Sequence, residues 1–181
     1  MMHRKTCAQF HTDETRFLFS RPGDNMEQWI VATAFRTPKG AEISLSCKDL
    51  QQVARNTLSF TARGVALSEP RRWQDNPENA ETFMISGDEM LAFLEECEGV
   101  VAKSVGNLAT HRPLVRASRH GDRFANAKLI KDPVWWEQGQ QVPERPQDFH
   151  GRPMCIMGEL RPWVMHGEWG LSLRVLQVQF E

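Results

Sequence analysis

Arginines, lysines and flat aromatic rings interleave in two stretches of this 181-residue sequence, and that mixture points to one chemistry. Guanidinium and ammonium groups neutralise phosphates and release their counterions. Exposed rings stack on unpaired bases, at about 1–3 kcal/mol per base. The first stretch carries Arg112, Arg116, Arg119, Arg123, Lys128 and Lys131 against a single acid, Asp122, with Phe124 among them. The second carries Arg161, Trp163 and Arg174. Trp136 lies between the two. The basic residues are candidate phosphate contacts, and Phe124, Trp136 and Trp163 are candidate stacking platforms. Phe124 has a competing reading as core, and of the Trp135-Trp136 pair one ring is expected to be buried as a lid and the other partly exposed.

The elements that must position these side chains follow from turn and periodicity signals. The stretch from Glu159 to Arg174 folds on paper into a hairpin about His166-Gly167, a two-residue loop ending in glycine. That register pairs Val164 with Trp169, Pro162 with Leu171 and Leu160 with Leu173 on an apolar face. It pairs Trp163 with Gly170, Arg161 with Ser172 and Glu159 with Arg174 on a polar one. A slip of one residue would mix the faces. Trp163 is thus placed outside, over a glycine and beside two arginines, whereas Trp169 is core. Pro162 requires an outward-facing backbone position, which marks an edge strand. Gly158 falls opposite Val175, where the apolar phase changes, so a bulge is expected there.

Upstream, Pro113–Ser118 and Arg123–Ile130 read as strands joined at His120-Gly121-Asp122. The second of them puts Phe124, Asn126, Lys128 and Ile130 on one side. Residues 131–152, with several prolines and glycines, read as loop. Trp29–Phe35 and Ala41–Cys47 read as a hairpin through Thr37-Pro38-Lys39-Gly40. Arg16–Phe19 reads as a short strand and 59–69 as another. Helices are expected after Ser46, with Leu50, Val53, Ala54 and Leu58 on one face, and from Ser86 to a stop at Gly99. Residues 70–80 read as loop, and 1–14 as polar, irregular and flexible. The count is mainly β with one or two short α-helices, arranged as a small antiparallel barrel in a single domain over 1–181.

Composition narrows the function classes. Hydrophobic residues make up 40% and charged residues 25%, as in a globular chain. No apolar run approaches the roughly 20 residues that span a bilayer, so a cytoplasmic protein without membrane contact is expected. Cys7, Cys47, Cys97 and Cys155 are far apart and read as free thiols. The net charge is −1, yet an acidic block over 75–98 precedes the basic one. Phosphate-loop, dinucleotide, zinc-protease and nucleophile-elbow motifs are absent. No catalytic residue, metal ligand or cofactor is assigned, and the chain does not read as an enzyme.

Pro113-Leu-Val-Arg, a polar hairpin, a Gly- and Pro-rich loop and the strand Trp169-Gly-Leu-Ser-Leu-Arg-Val-Leu-Gln-Val-Gln together resemble the single-stranded-DNA-binding proteins of bacteriophages and mobile elements. The likeness covers roughly 110–180. It implies an OB-fold barrel, sequence-tolerant binding of single strands and a role in replication or recombination. Such proteins commonly carry an acidic C-terminal tail, whereas this sequence stops at Gln179-Phe180-Glu181, and its first hundred residues match no pattern of that family. The expected partner is single-stranded DNA. RNA stays open, because contacts to the 2′-hydroxyl leave no signature in sequence. A homo-oligomer through the edge strand is a further option. The alternative is a protein–protein interaction module, an accessory or counter-defence protein using the acidic helix over 88–98. A metal-dependent nuclease, which needs carboxylates arranged for a divalent ion, ranks behind both.

Overall fold

The computed structural model describes residues 20–47 and 56–181. The flexible start over 1–14, the strand Arg16–Phe19 and the body of the helix after Ser46 lie outside the described residues. One helical turn, α1 (Met26–Trp29), leads into β1 (Ile30–Thr37) and β2 (Gly40–Cys47). Then come β3 (Leu58–Ala66), the two-residue β4 (Arg71–Arg72), β5 (Glu81–Ser86) and the helix α2 (Asp88–Val105). Short β6 (Thr110–His111) and β7 (Val115–Ala117) precede β8 (Arg123–Glu137) and β9 (Gln140–Val142). The long strands β10 (Pro153–Met165) and β11 (Glu168–Phe180) follow.

Five strands form a ring. β3 pairs with β10, β10 with β11 and β5 with β8 and β3, all antiparallel, while β8 and β11 run parallel. In chain order the barrel strands are β3, β5, β8, β10 and β11, and the third and fifth are the parallel pair. This is the OB-like arrangement, mainly β, that the sequence implied. Closure is narrow, because β3 and β5 meet through only two residue pairs, Val65–Ser86 and Ala66–Ile85. Gly64 permits that approach, since a Cβ there would lie 2.7 Å from the Ser86 carbonyl oxygen. The β1–β2 hairpin forms its own sheet off the ring and packs on α2 and β10.

The interior holds Phe60, Phe83, Ala127, Leu160, Leu173 and Val175, all buried. Phe93 of α2 packs on Phe60 with ring centroids 5.1 Å apart, so the helix lies against the barrel wall. Phe149, from the loop before β10, is fully buried with Phe83, Trp135 and Phe180 edge-on around it at 5.0–5.7 Å.

The terminal hairpin has the register read from the sequence, pair for pair, including Trp163–Gly170 and the shift at Met157/Gly158. His166 and Gly167 both take positive φ, 53° and 76°, as a two-residue hairpin turn of this hand requires. Four expectations need correction. α2 continues through Gly99 to Val105, because burying Val101 and Val105 outweighs the roughly 1 kcal/mol cost of a mid-helix glycine. Residues 131–137 are strand and not loop. β8 pairs with β11 through Leu129 and again from Val134, and Pro133 sits in the irregularity between, where no ladder N–H is needed. β5 went unread in the sequence, and Leu58 opens β3 instead of closing a helix. Finally, Cys155 is disulfide-bonded, while Cys97 is a free buried thiol.

Candidate nucleic-acid interface

The outer face of the barrel is set by strand alternation. On β8 the side chains of Ala125, Ala127 and Leu129 point inward and are buried, which turns Phe124, Asn126 and Lys128 outward. Cross-strand pairing puts Thr82 of β5 beside Lys128 and Arg116 of β7 beside Phe124, on the same face. On β11 Leu171 and Leu173 are buried, and Ser172 faces out opposite Arg161.

A cavity of about 580 Å³ opens on this face, lined among others by Arg112, Arg116, Lys128, Asn126, Thr82 and Trp163. That volume is in the range of a small-molecule or single-nucleotide site. Three of its lining side chains are cationic and none is acidic. Trp163 is half-buried and forms one wall. Its indole lies close over Gly170, where a Cβ would meet the ring at 2.7 Å and the Arg112 carbonyl oxygen at 2.8 Å. The absence of a side chain at residue 170 therefore makes room for the ring, which also lines the cavity.

The strip from Thr110 to Ala117 that carries Arg112 and Arg116 is held from below by Glu98 of α2. Glu98 is 4% exposed. Its Oε1 accepts from the Leu114 amide at 2.7 Å and lies 3.0 Å from His111 Nε2. His111 in turn stacks on Trp169 at 4.3 Å. The Arg112 amide donates to the Trp169 carbonyl at 2.8 Å. A buried carboxylate thus anchors a strip whose outer side is basic. Sequence reading placed Glu98 among the acids of a helix end and missed this role, because its partners lie 13 and 16 residues away.

The predicted site residues do not all converge. Arg112, Arg116, Lys128 and Trp163 share the cavity, and Phe124, which does not line it, is the cross-strand partner of Arg116. Arg112 also approaches Glu168 at 3.5 Å, an exposed pair weak enough for a phosphate to displace. Arg161 is exposed on the same face of the hairpin, and Arg174 reaches Glu159 at 3.9 Å. Arg119 lies exposed in the turn before β8, and Lys131 is exposed in the irregular part of β8. Arg123 is engaged by Glu95 at 2.5 Å. The hydrogen bond and charge of Glu95, with Asp88 nearby, raise its pKa and give it an anionic setting. Trp136 is 9% exposed, and its Nε1 donates to Gln177 Oε1 at 3.1 Å, so it is buried and is not an open stacking ring. Both tryptophans of the 135–136 pair are buried, where one was expected to be partly open. Asn126 and Thr82 were not candidates. Asn126 was legible from its alternation with Lys128, whereas Thr82 depends on the unread β5.

No protein-family model matches the chain, and no curated protein matches it in sequence. Solved structures do. A C-terminally truncated single-stranded DNA-binding protein from bacteriophage Enc34 superposes with a TM-score of 0.52 at 9% identity, covering 72% of this chain and 91% of that one. The single-stranded DNA-binding protein gp2.5 encoded by bacteriophage T7 gives a TM-score of 0.46 at 13% identity, over 67% and 90%. The share covered by the Enc34 protein exceeds the 110–180 stretch where the sequence resemblance is legible, and at that identity the likeness is one of fold: this chain is built on an OB-like barrel of the same kind.

Proposed function

We propose that this protein binds single-stranded DNA without strong base preference and without catalysis, in replication or recombination of a phage or mobile element. The observation that carries the reading is the cavity that Trp163, seated close over Gly170, lines together with Arg112, Arg116 and Lys128. An indole with one free face stacks on any base, because every base has a π-face. Cations around it neutralise the phosphates on either side. Asn126 and Thr82 supply polar edges to the floor without imposing one base. The Enc34 protein that shares this fold is itself a single-stranded DNA-binding protein, which agrees with the reading.

The test is intrinsic tryptophan fluorescence during titration with poly-dT at about 50 and 200 mM salt, on wild type and Trp163→Ala. Quenching that weakens steeply with salt and shrinks in the variant is expected. No quenching and no affinity at either salt would sink the proposal. The same titration with poly-rU separates DNA from RNA.

A further inference from the structure

Across β8 from Trp163 lies a second opening of about 580 Å³, which shares Thr82 and Asn126 with the first and reaches Arg71 and His150. Just beyond Arg71 the chain carries Trp73, whose ring is 73% exposed, the most open large apolar side chain among the described residues. The loop beneath it is tied down. Arg72 Nη1 donates to the carbonyls of Pro77 at 2.9 Å and Asn79 at 2.7 Å. Asn79 Nδ2 donates to the Trp73 carbonyl at 2.9 Å. Arg71 and Arg72 pair with Thr82 and Glu81 of β5. Gln74 and Asp75 both adopt left-handed backbone, with φ of 54° and 51°, a strained conformation for residues other than glycine. A loop constrained this way presents its indole outward where a looser one could fold the ring against the barrel.

We infer that Trp73 is a second stacking platform for the same single strand, which crosses the outer face from Trp163 over β11, β8 and β5 to β4. This rests on the single-stranded DNA reading above. From β10 to β4 the path makes four strand steps along the curved outer wall of the ring, a contour of about 19 Å at roughly 4.8 Å each. That span suits several nucleotides of an OB-fold site of roughly 4–16. The two ends use different physics. The Trp163 end is cationic. At the Trp73 end Arg71 and Arg72 stand beside Glu69, Asp75, Glu78 and Glu81, and the Arg72 guanidinium is engaged by loop carbonyls. Acids outnumber cations there, so this end adds stacking without counterion release.

The experiment is fluorescence anisotropy of a labelled oligo-dT of about 12 nucleotides, within the OB-fold range, over a salt series. The proteins are wild type, Trp73→Ala, Trp73→Phe and Trp163→Ala, each checked for an unchanged thermal melt. Trp73→Ala is expected to weaken binding roughly 5- to 150-fold, the equivalent of one lost stack, with the slope of log K against log salt unchanged. Trp73→Phe should recover most of the loss. Wild-type affinity in Trp73→Ala, or a slope that falls with it, overturns the inference. If Trp163→Ala weakens binding and Trp73→Ala does not, only the second platform fails. If wild type does not bind at all, the single-stranded DNA reading fails and this inference with it.

Discussion

Trp163 comes this close to the sheet only because residue 170 has no side chain. Gly170→Ala would drive a methyl into the ring and into the Arg112 carbonyl, at 2.7 and 2.8 Å. Overpacking of this kind costs about 1–3 kcal/mol, which a urea melt would register. The same variant should lose tryptophan quenching by poly-dT, since relief of the clash lifts the ring from its seat. Retained quenching with unchanged stability would show that the ring is not seated on residue 170. Cys97 gives an independent check of the core. Burial, then the nearby Glu96 and Glu98 charges, raise its thiol pKa well above the ordinary value, so the reactive thiolate is absent near neutral pH. Alkylation of Cys97 in folded protein at about pH 8 should be far slower than after denaturation, and comparable rates would contradict its burial. At this scale the sequence was legible where local alternation decides the face. Trp163 was read correctly because a short turn fixes its partner. Trp136 was misread because its hydrogen-bond partner, Gln177, lies 41 residues away across a parallel pairing.

The strip over β6 and β7 shows how one element delivers two cations. Neither short strand would hold its place alone. The Glu98 carboxylate fixes both the Leu114 amide and His111, and α2 supplies it from the inner side. Glu98→Ala strips a buried N–H of its acceptor and should cost about 1–3 kcal/mol. Glu98→Gln keeps an acceptor and should cost less. Beyond stability, Glu98→Ala is expected to lower the salt dependence of oligonucleotide binding, because Arg112 and Arg116 lose their fixed positions. A purely structural role would leave that slope untouched. Elements were legible in proportion to how local their pairing is. Both hairpins, β1–β2 and β10–β11, were read from turn chemistry and alternation. β5 was missed because its six residues sit inside an acidic stretch, and its pairing with β8 is long-range. α2 was cut short at Gly99 because a glycine looks like a stop until the burial of the next turn is known.

For the molecule as a whole, the net charge of −1 conceals a cationic groove. Binding electrostatics should come from the three cations that line the Trp163 cavity and not from the total. Each phosphate contact contributes about 0.7 to the magnitude of the salt slope on a single strand. Lys128→Ala and Arg116→Ala should each reduce the slope by about that amount. Arg123→Ala should leave it unchanged, because Glu95 already engages that guanidinium. Equal slopes for Lys128→Ala and wild type would move the phosphate path elsewhere. The fold class was readable in advance from hairpin count and turn types. The order of strands round the ring was not, since parallel pairing of β8 with β11 joins segments that no local signal connects.

Since β3 and β5 join through two residue pairs while β5 and β8 join through four, thermal breathing would part the ring at the first of these seams. Parting there leaves β5 and β8 attached as one flap. Thr82, Asn126 and Lys128 ride on that flap together, so opening exposes the barrel interior while this part of the proposed contact surface travels whole. The Leu67 amide, which donates to the Met84 carbonyl at 2.7 Å across that seam, would then exchange with solvent sooner than those linking β5 to β8, and grip on a ligand would outlast momentary loss of closure.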